Sequence, residues 1–584
     1  MLKYNQTTRT TGKNLVGIWR PAFIEHNQSL YAFGGGGHVT DDLRYLDLST
    51  MCWKALDNVQ GTPPSRRYGH TATKWKDSVI IVGGCTDNQE YCNDVYIFNL
   101  TTQTWHQPTT VGTINNRHLH SAVVFENKLI VFGGFSKTTD CNMCTYVLDE
   151  MCILDLNTMT WTTHYNMPPR YNHSATLVGN KMYIYAGKDE QGTTVSDLFV
   201  IHLQNEPYTA YPLICTDQFE DLGMVLAKSQ HFCDTTCGKL FVFGRYANRR
   251  QLDNSDKNSS NNSISSDNDL IYGLWMLDLD TLQWKKQECS NHFEVGGWNY
   301  FIVIREPLND KIASPRSQVS CNSLLFLGNT DSSKTQGYDH FRDALTINCE
   351  SLGLYDLGEP RLPTTELLKL LNTPEYSDFS IRTGDGKEIY VHQVILLSRW
   401  PHFKNMCTSG MFESVTKTIV MPEPFDVVMA FLKYIYGDTL DDSEPWQILC
   451  ELLLLANLYQ LHRLKKLCCQ RLYTHHMSIE SCGYIFEKAI MTDEIGLKWL
   501  TLKFMFQNYG SFIKSNVFNQ LSAIVQEEFV KAVPDEAVLE IGRSGYVAPK
   551  SMSCDRKETL VIEYPVETHT SLVYVGDSSL SLRI

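Results

Sequence analysis

Two landmarks that recur through residues 15 to 360 constrain this chain more than any other feature. A histidine stands 13 residues before the first of two glycine positions at His70 and Gly83, His120 and Gly133, His173 and Ala186, and His231 and Gly244. A leucine stands five residues before an aromatic residue at Leu48 and Trp53, Leu100 and Trp105, Leu156 and Trp161, Leu203 and Tyr208, and Leu279 and Trp284. Two registers that keep their own offsets while the distance between them varies mark repeated supersecondary units, none of which can bury its apolar faces without a neighbour. Short apolar runs at 79–82, 129–132, 182–185 and 240–243 read as strands, and each repeat has room for about four of them.

The variation in length is as informative as the repetition. From the second glycine position to the leucine of the second register the spacing runs 13, 16, 22, 16, 34 and 28 residues, so the insertions fall in one class of loop. Insertions of that kind gather on one face of a repeat array, and such a face commonly binds. Arg66, Arg67, Arg117 and Arg170 lie on loops expected at the same edge and are the candidate contacts to a bound protein. Arg67 with His70, Arg117 with His120 and Arg170 with His173 also read as packing between repeats, the favoured role for buried histidines. The insert at 248–270 is expected to be disordered, because fifteen of its last twenty residues are Asn, Ser or Asp.

A period near 50, an apolar strand ending in Gly-Gly and a late tryptophan together resemble the kelch repeat, whose units stack as the blades of a β-propeller. The glycine positions Gly34-Gly35, Gly83-Gly84, Gly133-Gly134, Ala186-Gly187, Gly244-Arg245 and Gly328-Asn329 imply six blades over residues 1–362, with Asp356-Leu357 marking the sixth. Closure is expected to use both ends of this region.

After Pro363 the Gly-Gly landmarks vanish and leucine-rich helical spacing begins. A helix over 364–371 should be followed by strands at 378–382 and 388–391 around the turn Gly384-Asp385-Gly386. A further strand over 418–421 and helices over 424–436, 446–459 and 461–473 should come next. The string from Ser377-Asp378-Phe379 through Val391-His392-Gln393-Val394-Ile395-Leu396-Leu397-Ser398 resembles the opening of a BTB (POZ) domain, covering 363–476. That resemblance implies homodimerisation through a leading helix, here Leu367, Leu368, Leu370 and Leu371. It also implies cullin-3 contact by a hydrophobic-X-Glu tripeptide, here Met411-Phe412-Glu413. Asp378 and His392 are expected to hydrogen-bond within the domain. Residues 477–545 resemble the helical BACK extension, and 546–584 read as a flexible tail. The fold class is therefore multidomain: an all-β six-bladed kelch propeller, then an α/β BTB domain, then a helical BACK-like segment.

A formal net charge of -14 argues against nucleic acid as a partner, since neutralising phosphates needs a basic face. The polar first residues lack a signal peptide's apolar core, and the longest apolar run, 452–456, is far too short to span a bilayer. Eighteen unevenly spaced cysteines suit a reducing compartment. The expected location is the cytoplasm, with the nucleus and the surface of endomembranes as alternatives. Gly34 to Gly37 lack the following Lys-Ser/Thr of a phosphate loop, and Cys141-X-X-Cys144 lacks a second ligand pair at zinc spacing. No catalytic residue, metal or cofactor is expected.

With the repeats before the BTB region, the chain resembles the leucine-zipper-like regulator type of adaptor. This implies a propeller that captures a protein substrate, of the Ras-family GTPase class, for a cullin-3 RING ubiquitin ligase. The alternative is a non-enzymatic kelch scaffold in Ras signalling or cell-shape control.

Overall fold

The computed structural model describes residues 6–12, 18–19, 21–37, 43–56, 58–137, 144–204, 206–213, 224–248, 271–287, 293, 297–305, 322–330, 341–357, 365–408, 415–533, 537–541 and 570–574. The chain divides into two compact units, Leu2–Asn348 and Cys349–Ile584.

In the first unit the described residues form six antiparallel sheets built on four strands each. Blade one runs from Ala22–His26 to Cys52–Ala55, with Thr11–Gly12 added in parallel at its outer edge. Blade two runs from Thr71–Trp75 to Thr104–His106 and blade three from Ser121–Phe125 to Thr160–His164. Blade four runs from Ser174–Val178 to Ala210–Leu213 and blade five from Met224–Thr236 to Gln283–Lys286. Blade six takes Gly297–Ile304, Ser323–Asn329 and Asp343–Asn348 from its own stretch of chain, and its outermost strand is Gln6–Arg9. The first strands of successive blades lie beside one another around the ring. Blades six and one meet through Phe23 and Tyr300, with ring centroids 4.3 Å apart.

Packing explains why the second strand of each blade is a continuous apolar run rather than an alternating one. Side chains on a strand alternate between faces, and each blade is covered on both. In blade two, Val79 and Ile81 join Phe33 of blade one, whereas Ile80 and Val82 join Leu129 and Val131 of blade three. In blade three, Ile130 and Phe132 join Met182 and Ile184 of blade four. Tyr183 and Tyr185 of blade four then join Leu240 and Val242 of blade five. The late aromatics Trp53, Trp105, Trp161, Tyr208 and Trp284 are all buried against these cores. Fully burying one large apolar side chain contributes about 1.5–3 kcal/mol before entropy is charged.

Closure uses both ends of the unit, and it moves the expected boundary. Gln6–Arg9 pairs antiparallel with Asp343–Asn348, with Gln6 opposite Thr346 and Arg9 opposite Asp343. Thr10 Oγ1 donates to the Phe341 and Arg342 carbonyls, and Trp53 Nε1 donates to the Phe341 carbonyl at 3.2 Å. Because the N-terminal strand completes the sixth sheet, the propeller needs nothing beyond residue 348, not the 362 expected. Asp356-Leu357 fits the landmark by sequence yet belongs to the second unit: the Leu357 carbonyl accepts from Arg463, and Tyr355 is buried in that unit's core.

The second unit begins with the 3-10 turn Cys349–Leu352 and the short helix Thr365–Leu368. Its sheet places Phe379–Arg382 between Glu388–Val391, antiparallel, and Thr418–Val420, parallel. Helices Gln393–Arg399, Pro401–Thr408, Phe425–Gly437, Trp446–Leu458 and His462–His476 enclose one apolar core with that sheet. The same core takes in Ile485, Ala489, Leu497 and Leu500 of the next two helices, so the BACK-like segment is not packed separately at 477. A second cluster around Phe486, Met505, Phe512 and Phe529 holds the remaining helices together.

A buried charge network ties the start of this unit to its middle. Lys466, on helix His462–His476, places its Nζ 2.7 Å from Glu350 and 2.9 Å from Glu494, and Lys465 reaches Glu494 at 2.7 Å. Burial pushes the Glu494 carboxyl up, but the two ammonium groups outweigh it and hold it below the ordinary range. Gly496 permits the close approach, since a Cβ there would lie 2.5 Å from Glu350 Cβ.

The tail differs from expectation. Thr570–Tyr574 forms a strand paired antiparallel with Ala537–Ile541, so part of 546–584 returns to the unit. The insert at 249–270 lies outside the described residues.

Asp378 and His392 show how the hairpin is joined to its helix. Asp378 Oδ1 accepts from the Gln393 N–H at 2.6 Å, at the start of helix Gln393–Arg399, while His392 contacts the Tyr436 hydroxyl through its backbone N–H (2.8 Å) and Nδ1 (3.0 Å). Asp378→Ala is expected to cost about 1 kcal/mol, the usual worth of a helix N-terminal acceptor. Chemical denaturation would check it, and Asp378→Asn, which keeps a side-chain acceptor, should avoid most of the loss.

Candidate functional site

The Arg-X-X-His segments form a joint that repeats at three successive blade boundaries. Within a blade, the Arg67 guanidinium donates to the Gly83 carbonyl at 3.0 Å and pairs with Asp94. Arg117 donates to the Gly133 carbonyl at 3.1 Å and pairs with Glu150, and Arg170 pairs with Asp197. Each acid immediately precedes the third strand of its blade, at Val95, Met151 and Leu198. Between blades, the second glycine donates to the next blade's arginine carbonyl: Gly35 to Arg67 at 2.9 Å, Gly84 to Arg117 and Gly134 to Arg170 at 2.8 Å.

The histidines fill the same joint. At Gly83, φ is +60°, and a Cβ would lie 2.7 Å from the Arg117 carbonyl oxygen and 3.0 Å from the His120 ring, so glycine is required by conformation and by space. Thr71 Oγ1 shares a hydrogen bond with His120 Nε2 at 3.1 Å, and Ser121 Oγ with His173 Nε2 at 2.7 Å. A serine touching a histidine can be half of a nucleophilic site. Here no hydrogen-bond partner orients Nδ1 of His173, and the contact recurs one blade earlier with threonine. That repetition marks it as part of the blade joint. Burial lowers His70 to about 4 and His173 to about 3, and pushes His120 well below its ordinary value, with the neighbouring arginines adding to each shift.

The expected substrate contacts therefore divide. Arg67, Arg117 and Arg170 are buried, at 2%, 0% and 7% exposure, so their side chains hold the loops and do not themselves offer a surface. Arg66 is exposed. What the sequence reading missed is a row of rings on the same loops. The Tyr91 ring lies tilted against His118 at 4.2 Å, His118 meets Phe135 edge-on at 5.7 Å, and Phe135 lies tilted against Tyr171 at 5.0 Å, crossing blades two, three and four. The available signal was weak: Tyr68, His118 and Tyr171 share the residue after Arg, but Tyr91 and Phe135 do not follow the landmark spacing.

In the second unit, Leu367, Leu368, Leu370 and Leu371 are partly buried against their own core, and Leu368 rests on Gly437 of helix Phe425–Gly437. Met411, Phe412, Glu413 and Cys141 lie outside the described residues. Among the described residues, no cluster of His, Cys, Asp and Glu could hold a metal ion, and no helix is long and apolar enough to cross a membrane.

Comparison with known proteins agrees with this architecture. Residues 8–167 match the KLHDC2/KLHL20/DRC7 Kelch-repeats domain, and residues 367–476 match the BTB/POZ domain. Kelch domain-containing protein 3 of Rattus norvegicus is 29% identical over 295 residues, covering 46% of this chain and 69% of that protein. Host cell factor 1 of Homo sapiens is 32% identical over 198 residues, covering 28% of this chain and 9% of that protein. The solved structure of YjhT is 15% identical, covers 57% of this chain and 95% of its own, and has a TM-score of 0.41. Kelch and BTB domains are typically non-catalytic interaction modules. With six closed blades followed by the hairpin-and-helix unit, this chain carries a kelch-repeat domain N-terminal to a BTB/POZ domain.

Proposed function

We propose that the chain is a substrate-recognition adaptor of a cullin-3 RING ubiquitin ligase. The observation that carries this reading is the joining of a kelch propeller to a BTB/POZ domain in one chain, a recognition surface covalently linked to a docking domain. The propeller loops hold a protein substrate, with a Ras-family GTPase as the first candidate. Met411, Phe412 and Glu413 contact cullin-3, and a homodimer through the leading helix with Leu367, Leu368, Leu370 and Leu371 presents two copies. The chain performs no chemistry in this scheme. It raises the effective concentration of substrate at the ligase, as any bivalent linker does. Its place of action would be the cytoplasm.

Association of the purified full chain with cullin-3 tests the proposal, comparing the native protein with Met411→Ala/Glu413→Ala. The native chain should bind, and the double variant should bind at least about tenfold more weakly, since loss of an interface anchor typically costs about 2 kcal/mol. Absence of binding by the native chain would replace the adaptor reading with that of a signalling scaffold.

A further inference from the structure

The ring row on blades two to four bridges the blade boundaries outside the Arg-His-Gly contacts, and its surroundings point to what it holds. Tyr91, Phe135 and Tyr171 are only partly buried, and Tyr146 is 39% exposed on the ribbon formed by Phe135–Lys137 and Thr145–Val147. The adjoining hairpins carry Asp87, Glu90, Asp189 and Glu190. Asp189 lies close enough to raise the Tyr171 hydroxyl, after burial, and its Oδ1 accepts from the Gln191 and Thr193 N–H groups, which fixes its direction. Among the described residues, the same hairpins and the neighbouring loop carry Arg66, Lys137 and Lys188 against those four carboxylates.

One ring of the row already faces a cation. Lys137 Nζ sits 4.6 Å from the centre of the Tyr91 ring and donates to the Gln89 carbonyl at 3.0 Å. Elsewhere in the propeller, the Arg67 guanidinium lies 5.7 Å from the Tyr96 ring centre and that of Arg170 lies 5.5 Å from that of Phe199. An aromatic face attracts a cation through its quadrupole, and a neighbouring carboxylate strengthens the hold. Residues 2–348 carry 29 Lys and Arg against 35 Asp and Glu, and that net negative charge would also draw in a ligand of positive charge.

We propose that the shelf formed by Phe135 and Tyr171, beside the Tyr91–Lys137 contact and flanked by Asp189 and Glu190, binds an extended basic peptide segment by stacking arginine or lysine side chains on its rings. This rests on reading the propeller as the recognition half of the chain and adds the chemical class of what it recognises. An acidic or purely apolar segment would not be held there.

Fluorescence anisotropy of a labelled (Gly-Arg)5 peptide with the full chain is the test, with (Gly-Glu)5 and (Gly-citrulline)5 as comparators. The arginine peptide should bind and the other two should not. Phe135→Ala and Tyr171→Ala should each weaken binding about tenfold, whereas Tyr171→Phe should leave it nearly unchanged. Asp189→Asn/Glu190→Gln should weaken it and flatten its salt dependence, and Glu527→Gln/Glu528→Gln, in the other unit, should do neither. Melting curves identify any alanine variant that fails to fold, in which case Tyr171→Leu, which keeps the bulk and removes the π face, takes its place. Lack of binding, or binding indifferent to the ring substitutions, overturns the shelf. Cullin-3 association is measured separately: a chain that binds cullin but not the peptide sinks only the shelf, and the converse sinks only the adaptor reading.

Discussion

Arg117→Ala is expected to destabilise the propeller by about 3–5 kcal/mol, the range seen when one partner of a buried ion pair is removed. Its side chain is fully buried and that of its partner Glu150 is 4% exposed, so the substitution leaves a carboxylate in the interior faced by the Asn115 amide, at 3.2 Å, and the weak Cys152 thiol donor, at 3.6 Å, with no cation. It also strips the Gly133 carbonyl of its guanidinium donor. The measurement is the propeller's unfolding transition in denaturant for the full chain. Arg117→Met/Glu150→Leu should recover much of the loss, because the stranded charge goes with the cation. Lys531→Ala, which breaks a solvent-exposed pair with Glu527, should leave the transition where it is. A loss near zero for Arg117→Ala would mean that water reaches Glu150.

The second large effect is acid sensitivity of the same joints. His70 and His173 hold folded-state values of about 4 and about 3, against an ordinary 6.5, because burial excludes their charged form. The unfolded chain therefore takes up protons that the folded chain refuses as pH falls below 6.5, and stability must fall with it. The loss runs from about pH 6.5 until each folded value is passed, and His70 alone accounts for about 3 kcal/mol over that span. His120 shifts in the same direction and adds to the slope. Burial raises the carboxyl of Asp197, in the Arg170 pair, which offsets part of the loss towards its acid end, so the histidines set the slope between about 6.5 and 4.5. Melting temperature against pH should drop steeply there for the native chain and less steeply for His70→Gln. A variant that is merely weaker would shift the whole curve and leave its slope intact. Equal slopes for the two proteins would show that these rings are hydrated in the fold.

The acid effect and the arginine effect have one origin. Three successive blade boundaries are closed by polar groups whose arginines and histidines are buried, with glycine at the contact and, at two of them, a hydroxyl from Thr71 or Ser121 against the next ring. Such a joint is rigid while every member is satisfied and costly when one is removed. That is the property required of a frame that carries variable loops, and it explains why the buried arginines cannot also serve as the binding surface.

Much of this was legible in the residues alone. The strands at Ser78–Val82, Lys128–Phe132, Lys181–Tyr185 and Glu388–Val391 follow from short apolar runs bounded by turns, and the helices Phe425–Gly437 and Trp446–Leu458 from their spacing. These features are set by neighbours a few residues apart, so a period or a turn residue announces them. The repeat itself, and with it the blade, is of the same kind.

Only the tertiary structure decided that Gln6–Arg9 completes blade six, that residues 349–357 belong to the second unit, and that Thr570–Tyr574 returns to pair with Ala537–Ile541. It alone matched Arg117 to Glu150 and aligned Tyr91, His118, Phe135 and Tyr171 across three blades. Those arrangements join groups far apart in the chain. Their free energy comes from burial and complementary charge once the blades have stacked, and nothing in a local window of sequence carries that information.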